Sequence, residues 1–261
     1  MNSTALLELF SLRDRVALVT GASGDIGRAL ARGLAVAGAA VALNGRTLAR
    51  LEALAQEIRD QGGAAAVFPS DLRHLDAIPA LVDAALERFG RIDILVNCAG
   101  TNQRQPILEV TPEVYEQIMA TNLRSAYFLS QAVLPHMIRQ GGGKIINIGS
   151  LTATIGLADV SVYGMTKSAL AQLTRTMAIE WAQYNVQVNC LCPGFIDTEL
   201  TAALWNDPAR RRWIVDRLPI RRPGQPADLV GLAIYLASRA SDYMTGQAIY
   251  IDGGFLAGSP W

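Results

Sequence analysis

The residues of this chain best suited to chemistry are a serine, a tyrosine and a lysine at a fixed spacing. Tyr163 follows Ser150 by 13 positions, and Lys167 follows Tyr163 by four. The pattern of residues 160–184 predicts a helix, which would place the phenol and the ammonium one turn apart on one face. A phenol has an ordinary pKa of about 10, so it is a poor base at neutral pH unless a nearby positive charge favours the phenolate. The spacing therefore indicates the proton-transfer centre of a hydride-transfer enzyme, with the serine hydroxyl holding a substrate oxygen.

A Tyr-x-x-x-Lys spacing alone also fits an ordinary pair on a helix surface, so the surrounding motifs have to decide. Near the N-terminus, Gly21, Gly24 and Gly27 lie where a first strand should pass into a first helix. Such glycines permit a tight turn, and the free amides at the start of a helix can bind a pyrophosphate. The position of this turn favours a dinucleotide site over a chance glycine cluster.

The composition describes a compact protein without a strong overall charge. Of 261 residues, 51% are hydrophobic and 18% charged, with 23 acids and 23 bases. This balance argues against a nucleic-acid partner. The chain lacks a basic start followed by an apolar segment, and no run reaches the roughly 18 apolar residues of a membrane span. We therefore expect one dinucleotide-binding and catalytic domain over residues 1–261, located in the cytoplasm and without a membrane partner.

The three cysteines, Cys98, Cys190 and Cys192, indicate a reducing compartment because their number is odd. They lack metal-ligand spacing with histidine, so we expect no metal site. Cys190 and Cys192 are separated by one residue in a strand-like run. We expect their side chains on opposite faces, without a disulfide.

Short apolar runs alternate with segments long enough for helices; the runs are 16–20, 40–44, 65–68, 92–97, 144–148, 186–192 and 248–251. Parallel neighbours need crossover connections. The alternation thus predicts an α/β, doubly wound Rossmann-type fold with a seven-stranded parallel sheet flanked by helices. Thr111-Pro112-Glu113 predicts a helix from about 112 into the 130s. The less regular stretch at about 195–225, with Trp205 and Trp213, predicts a mobile substrate cover.

Further motifs at fitting separations extend the pattern to nearly the whole chain; they are Asn97-Cys98-Ala99-Gly100, Asn122 and Pro193-Gly194. With them, residues 14–254 resemble the short-chain dehydrogenase/reductase family, most of all its gluconate 5-dehydrogenases and related sugar-acid or 3-oxoacyl carrier-protein reductases. The resemblance implies that Tyr163 is the acid/base and that Lys167 binds the nicotinamide ribose and favours the phenolate. It also implies that Ser150 orients the substrate and that Asn122 holds a proton-relay water. Asn122 could instead be a buried amide that satisfies backbone groups.

The resemblance also implies a set of cofactor contacts, which are Gly21, Ser23, Gly24, Asp25, Ile26, Gly27, Arg46, Asp71, Leu72, Asn97, Ala99, Gly100, Tyr163, Lys167, Pro193, Gly194, Ile196 and Thr198. Asn97 could instead brace the sheet, and Asp71-Leu72 could form an ordinary capping turn. Family members usually carry glycine where Asp25 stands. A carboxylate there would repel a pyrophosphate unless it turns away or meets a donor, so we expect an altered cofactor affinity.

The end of the second strand indicates which nicotinamide cofactor is used. The segment Leu43-Asn44-Gly45-Arg46 contains no acid to bind a ribose diol. Arg46 could make a forked contact with a 2′-phosphate, helped by Ser23. We therefore expect NADP as the preferred cofactor, with NAD possible; the alternative is that Arg46 is a solvated surface charge.

The substrate is less clearly marked. Arg104 follows the Asn97–Gly100 motif between Gln103 and Gln105, and Arg210, Arg211 and Arg212 stand in the expected cover. Such arginines suit a carboxylate, although the run of three could be solvated. We expect reversible hydride transfer to a small carbonyl or alcohol substrate, namely a sugar acid, keto sugar or polyol. The alternatives are a 3-oxoacyl carrier-protein reductase and a non-catalytic dinucleotide-sensing protein.

The resemblance further implies a homotetramer. The apolar ending, residues 254–261, would be an unusual free tail, and we expect it at a subunit interface. The alternative is a segment folded onto its own sheet edge.

Overall fold

The structure is a computed structural model that describes residues 2–258. Its centre is one seven-stranded sheet in which all neighbouring strands are parallel, in the order β3-β2-β1-β4-β5-β6-β7. The strands are β1 Val16–Val19, β2 Ala40–Gly45, β3 Ala65–Pro69, β4 Ile94–Asn97, β5 Gly143–Ile148, β6 Val186–Pro193 and β7 Ala248–Ile251. The predicted strands and the predicted fold class are confirmed.

Helices pack on both faces of this sheet. They are α1 Ser3–Glu8, α2 Asp25–Val36, α3 Leu48–Asp60, α4 Ala77–Phe89, α5 Pro112–Met119, α6 Ser125–Arg139, α7 Ser161–Trp181, α8 Ala202–Trp205, α9 Pro208–Arg217 and α10 Val230–Ala237. Alternate strand residues enter different cores: Ala17 and Val19 pack with α2, α3 and α10, whereas Leu18 packs with α4, α6 and α7. The sheet is therefore buried on both faces, which explains its nearly continuous apolar strands. No helix within residues 2–258 is long and apolar enough to cross a membrane.

The predicted helix from residue 112 into the 130s is confirmed and ends at Arg139. The Thr111 hydroxyl accepts a hydrogen bond from the Val114 amide, and Pro112 occupies the first turn. Between α5 and α6 the chain makes a π-helical turn, Ala120–Arg124, which contains Asn122. Such turns insert an extra residue into the helix and are frequent at functional sites.

The prediction that Cys190 and Cys192 point to opposite faces is wrong. Residues two apart in a strand share a face, and the two sulfur atoms lie 3.6 Å apart in the interior. Gly149, just beyond β5, packs against them. A Cβ atom at Gly149 would lie 2.6 Å from Cys192 Sγ and 2.7 Å from Cys190 Sγ. The two sulfurs therefore occupy the space that a side chain at position 149 would need.

The C-terminal segment folds back onto its own chain as far as it is described. Phe255 and Leu256 pack against a cluster that includes Phe195, and the Phe195 and Phe255 ring centres are 5.1 Å apart. These contacts are with the 195–225 segment, and the subunit interface expected for residues 254–261 stays a prediction. Met1 and residues 259–261 lie outside the described residues, and the prediction of one domain over residues 1–261 stays a prediction.

The opposite end of the sheet from the glycine-rich turn is held by one buried carboxylate. The Asp93 side chain is only 3% exposed and accepts hydrogen bonds from Arg15, Arg91 and the Val16 amide. Because Val16 begins β1 and Asp93 precedes β4, these bonds fix the register of two central strands. Hydrogen bonds that involve ionised groups are the stronger ones.

We predict that Asp93→Asn lowers the free energy of unfolding by about 2 kcal/mol, because an amide nitrogen cannot accept the hydrogen bonds that the carboxylate oxygen accepts. Chemical denaturation at one fixed protein concentration measures the change. The control is Asp14→Asn, an exposed carboxylate nearby, for which we expect a change within about 0.5 kcal/mol. Equal stabilities of the wild type and Asp93→Asn would contradict the assignment.

Candidate active site

The predicted functional residues converge on one cleft of about 510 Å³ at the carboxyl ends of the central strands. In a doubly wound sheet, ligands bind at this edge. Most of the predicted residues line the cleft; they are Gly21, Ser23, Gly24, Asp25, Ile26, Gly27, Arg46, Asp71, Leu72, Ala99, Gly100, Ser150, Tyr163, Lys167, Pro193, Gly194, Ile196 and Thr198. Asn97 and Asn122 lie behind its wall.

The glycine-rich turn is shaped by two close backbone approaches. Gly21 has a φ of +64°, and a Cβ atom on it would lie 2.9 Å from the Ala99 backbone. A Cβ atom on Gly27 would lie 2.2 Å from the Gly21 carbonyl oxygen. Any side chain at these two positions would displace the backbone, so the turn can hold the start of α2 against the cleft only with glycine at both.

Thr20, which sequence analysis did not select, ties this turn to the loop after β4. Its hydroxyl donates to the Val96 carbonyl and accepts hydrogen bonds from the Cys98 and Ala99 amides. Its position directly before Gly21 was the one indication of this role in the sequence. These bonds fix two walls of the cleft relative to each other.

The Asp25 carboxylate has a hydrogen-bond donor from another part of the chain. Asp25 Oδ2 accepts a hydrogen bond of 2.7 Å from the Glu199 amide, 174 positions away. Glu199 opens the short 3₁₀ helix Glu199–Thr201 in the segment predicted as a cover. The expected need for a donor is therefore met from the other side of the cleft.

Lys167 is the central charge of the site. Its side chain is buried, and Nζ donates to the Ile148 carbonyl oxygen at 2.6 Å, at the end of β5. Within residues 2–258, no carboxylate lies within 4.0 Å of this ammonium. Nζ lies 5.5 Å from the centre of the Tyr163 ring. The ammonium has three donors, so it can also bind a ligand hydroxyl.

Ser150 lies opposite this pair and is also buried. Its hydroxyl oxygen accepts a hydrogen bond from the Thr152 amide at 3.2 Å. Because a serine hydroxyl carries one proton and two lone pairs, this bond leaves the proton for a partner in the cleft. Ser150 and Tyr163 line the same cleft.

Asn122 holds the loop after β4 from within the π-helical turn. Its Oδ1 accepts from the Thr101 amide at 2.7 Å, and its Nδ2 donates to the Thr101 carbonyl and the Thr166 hydroxyl. These contacts fit the alternative in which the amide satisfies backbone groups. They also bring Asn122 close to the lysine, since a Cβ atom on Gly100 would lie 3.7 Å from Asn122 Oδ1 and 3.8 Å from Lys167 Nζ.

Asn97, predicted as a cofactor contact, does not line the cleft. Its side chain is 4% exposed, and Nδ2 donates to Ser130 Oγ and to Asn147 Oδ1 on β5. These contacts fit the alternative of a sheet brace, and the cofactor contact of Asn97 stays a prediction.

Burial raises the pKa of the Cys98 thiol to about 11, even though Lys167 lowers it. The thiol is therefore protonated at neutral pH and leaves the lysine charge available to other groups.

The loop after β4 also carries a half-buried guanidinium. Burial and the nearby Arg210 lower the pKa of Arg104, whereas Asp159 and Tyr163 raise it. No carboxylate of residues 2–258 lies within 4.0 Å of Arg104. Arg210 pairs with Asp207, and Arg211 and Arg212 are exposed. Arg104 does not line the cleft, and Asp159 is the nearby acid that raises its pKa.

Comparison with known proteins places the chain among dehydrogenases. The family described as "Enoyl-(Acyl carrier protein) reductase" matches residues 21–256. The chain is 42% identical to 2-dehydro-3-deoxy-D-gluconate 5-dehydrogenase of Escherichia coli (strain K12), over 97% of this chain and 99% of that protein. It is 42% identical to gluconate 5-dehydrogenase of Gluconobacter oxydans (strain 621H), over 95% of this chain and 96% of that one.

A solved structure shares the fold closely. The gluconate 5-dehydrogenase of Burkholderia cenocepacia J2315, in complex with NADP and tartrate, superposes with a TM-score of 0.94 at 42% identity and covers 97% of this chain and 99% of its own. The resemblance inferred from the motifs is confirmed along nearly the whole length. The chain belongs to the short-chain dehydrogenase/reductase family of oxidoreductases.

Proposed function

We propose that this protein is an NADP(H)-preferring oxidoreductase that transfers a hydride between nicotinamide and a carbonyl or secondary alcohol of a sugar acid. The observation that carries the proposal is the buried Lys167 beside Tyr163, with no carboxylate of residues 2–258 within 4.0 Å of its ammonium, and the half-buried Arg104 stands on the loop after β4. The first pair suits proton transfer at a carbonyl, and the arginine suits a carboxylate on the same substrate. The wider class of proposed substrates includes keto sugars and polyols.

The cleft fits a dinucleotide on its own geometry. The close-packed turn at Gly21 and Gly27 brings the start of α2, with its free backbone amides, to the cleft wall. Lys167 and Tyr163 would hold the nicotinamide end, and Asp71 and Leu72 the adenine end. When bound, the nicotinamide supplies or accepts the hydride.

The residues of the site would then divide the remaining tasks. Ser150 donates to the substrate oxygen and orients it. Tyr163 donates its proton to that oxygen in reduction and takes the proton back in oxidation. Lys167 would bind the nicotinamide ribose, and Asn122 would hold a proton-relay water from behind the cleft wall. These roles predict a strict dependence on the phenol oxygen.

Arg46 supports NADP over NAD. It lines the cleft, and within residues 2–258 no carboxylate lies within 4.0 Å of it, whereas Arg50 and Arg73 are paired with Glu199 and Asp71. The strand end carries Asn44, whose side chain donates to Phe68 and Ser70, in place of an acid. The Burkholderia cenocepacia relative was itself solved with NADP.

The tartrate in that relative is a hydroxy acid with carboxylate groups, which agrees with the anionic substrate inferred from Arg104. A 3-oxoacyl thioester on a carrier protein is the second candidate, since an arginine at the entrance would also serve a docking acidic protein. A non-catalytic dinucleotide sensor is the third, but it would have no use for the proton-transfer group at Tyr163.

We also propose a homotetramer. Tyr127 and Phe128 on α6 are 44% and 37% exposed beside a groove of about 460 Å³. Met165 and Ile179 on α7 are likewise exposed. Apolar surface of this kind usually marks an interface. The cytoplasmic location stays a prediction.

We predict that Tyr163→Phe lowers kcat by about 10²–10⁴-fold while NADPH still binds, because the phenol proton is lost and the ring is kept. Steady-state kinetics and NADPH fluorescence titration measure the two effects. Tyr184→Phe, a tyrosine that does not line the cleft, serves as the control and should retain wild-type kcat. Near-normal turnover of Tyr163→Phe would make the proposed mechanism untenable.

We predict that Arg46→Gln lowers kcat/KM for NADPH by about tenfold or more, the worth of a charge-assisted hydrogen bond, and changes the value for NADH by less than about twofold. The ratio of the two values measures the loss of 2′-phosphate binding. Arg175→Gln, on the exposed face of α7, is the control. Equal losses with both cofactors would contradict a role in phosphate binding.

We predict that the wild type oxidises NADPH fastest with keto sugar acids in a panel that also contains neutral keto sugars and 3-oxoacyl esters. Arg104→Gln should lower kcat/KM for the acids by about tenfold and for the neutral sugars by much less, because only the acids lose a charged partner. Arg211→Gln is the control. Preference for the 3-oxoacyl ester would favour the second candidate, and NADPH binding without any consumption would favour the sensor.

A further inference from the structure

The two sides of the cleft are joined at its opening by Asp25, Arg50 and Glu199, which we call the latch. Asp25, the first residue of α2, accepts the 2.7 Å hydrogen bond from the Glu199 amide. Arg50 on α3 donates to both carboxylate oxygens of Glu199, at 2.8 and 3.1 Å. One residue of the 195–225 segment is therefore held through its backbone by one helix and through its side chain by another.

The latch lies where a dinucleotide would enter and leave. Asp25 and Arg50 line the cleft together with Gly24, and Glu199 lines it from the facing side together with Thr198. The start of α2 is the proposed site of the pyrophosphate. The closed latch thus crosses the opening of the cleft beside the cofactor phosphates.

Hydrogen bonds and apolar packing connect the segment around Glu199 to α8 and α9. Thr201 Oγ1 donates to the Ile196 carbonyl at 2.6 Å and accepts from Trp205 Nε1 at 3.0 Å. The turn Glu199–Thr201 is therefore tied to α8, whose Leu204 packs into the cluster with Ile214 of α9. Release of Glu199 would free a connected unit rather than one side chain.

The strength of the latch suits a contact that must open at every turnover. The Arg50 and Glu199 side chains are 53% and 68% exposed, and exposed ion pairs are weak and screened by salt. The hydrogen bonds from Arg50 hold the pKa of Glu199 below its ordinary value, so the pair stays charged at neutral pH and would be lost only as the pH falls into the acid range.

The hydrogen bond to Asp25 reduces the repulsion that its negative charge would exert on a pyrophosphate. A carboxylate at the start of α2 would repel an approaching pyrophosphate, but the Glu199 amide now occupies one of its oxygens. Arg50, across the same residue, adds a positive charge to the opening. A glycine at position 25 would remove the repulsion and the hold on the segment together.

We propose that Asp25, Arg50 and Glu199 are positioning residues that fasten residues 198–217 over the cofactor phosphates and slow the release of the dinucleotide. The inference rests on the proposed dinucleotide site. Its two parts, a fastened segment and a slowed release, can be measured separately.

The fastening is tested on the protein without cofactor. Hydrogen exchange of residues 198–217 and trypsin cleavage at the exposed Arg210, Arg211 and Arg212 report how often the segment opens. We expect both rates to rise about threefold in Arg50→Gln and in Glu199→Gln, in line with an exposed pair. The double variant should add little to either single one, because both changes break the same contact. Unchanged rates in all three variants would overturn the latch.

The slowed release is tested by stopped-flow displacement of NADPH. Asp25→Gly should release NADPH about tenfold faster, the cost of a charge-assisted hydrogen bond, whereas Asp25→Asn should stay nearer the wild type because its amide oxygen can still accept from Glu199. Simple repulsion predicts the opposite: both variants would bind NADPH more tightly than the wild type. Tighter binding in both would overturn the proposal.

The matched control is Arg32→Gln, which breaks the ion pair between Arg32 of α2 and Glu57 of α3, neither of which lines the cleft. It should change neither the exchange of residues 198–217 nor the NADPH release rate. The exchange measurement needs no cofactor, so a failure of the latch is distinguishable from a failure of the proposed function. Exchange that rises in the latch variants without a faster release would overturn the role in cofactor retention.

Discussion

One buried positive charge, the Lys167 ammonium, organises the site. A lone ammonium in a protein interior is costly unless it is hydrogen-bonded, and here its established partner is the carbonyl of Ile148. That carbonyl is available because β5 ends there and no further strand residue competes for it. The absence of a carboxylate within 4.0 Å, in the part of the chain that the structure describes, keeps the charge directed towards the phenol and the cleft. The end of β5 supplies the carbonyl that holds Lys167, and the pitch of α7 places Tyr163 one turn away from it.

The backbone around the site is close-packed at glycine positions, where a side chain would displace it. Gly21 and Gly27 allow the first turn to press against the loop after β4, and Gly100 leaves room beside Asn122 and Lys167. The π-helical turn then aims Asn122 at the same loop. The contacts of Gly21 with Ala99 and of Asn122 with Thr101 join residues far apart in sequence, so the site is a product of the parallel sheet, which collects its strand ends at one edge.

The sequence predicted the strands and the cleft residues well because both follow local rules. Apolar runs with helix-length separations specify a parallel sheet, and glycines before a helix specify the turn. The π-helical turn had no local signal, since it depends on how α5 and α6 meet the core. The Asp25–Glu199 bond spans 174 positions and was out of reach for the same reason. The error at Cys190 and Cys192 had another cause, because they were assigned against the two-residue period of a strand.

The sulfur pair beside Gly149 restricts how this protein can change over generations. Neither cysteine leaves room for a methyl group at position 149, and replacing only one sulfur still leaves the other within 3 Å of it. An alanine at 149 becomes tolerable only after both neighbours have shrunk, so the three substitutions have a required order. The evolutionary routes open to the end of β5, which leads directly into Ser150, are therefore set by the packing of two sulfur atoms beside Ala171 of α7.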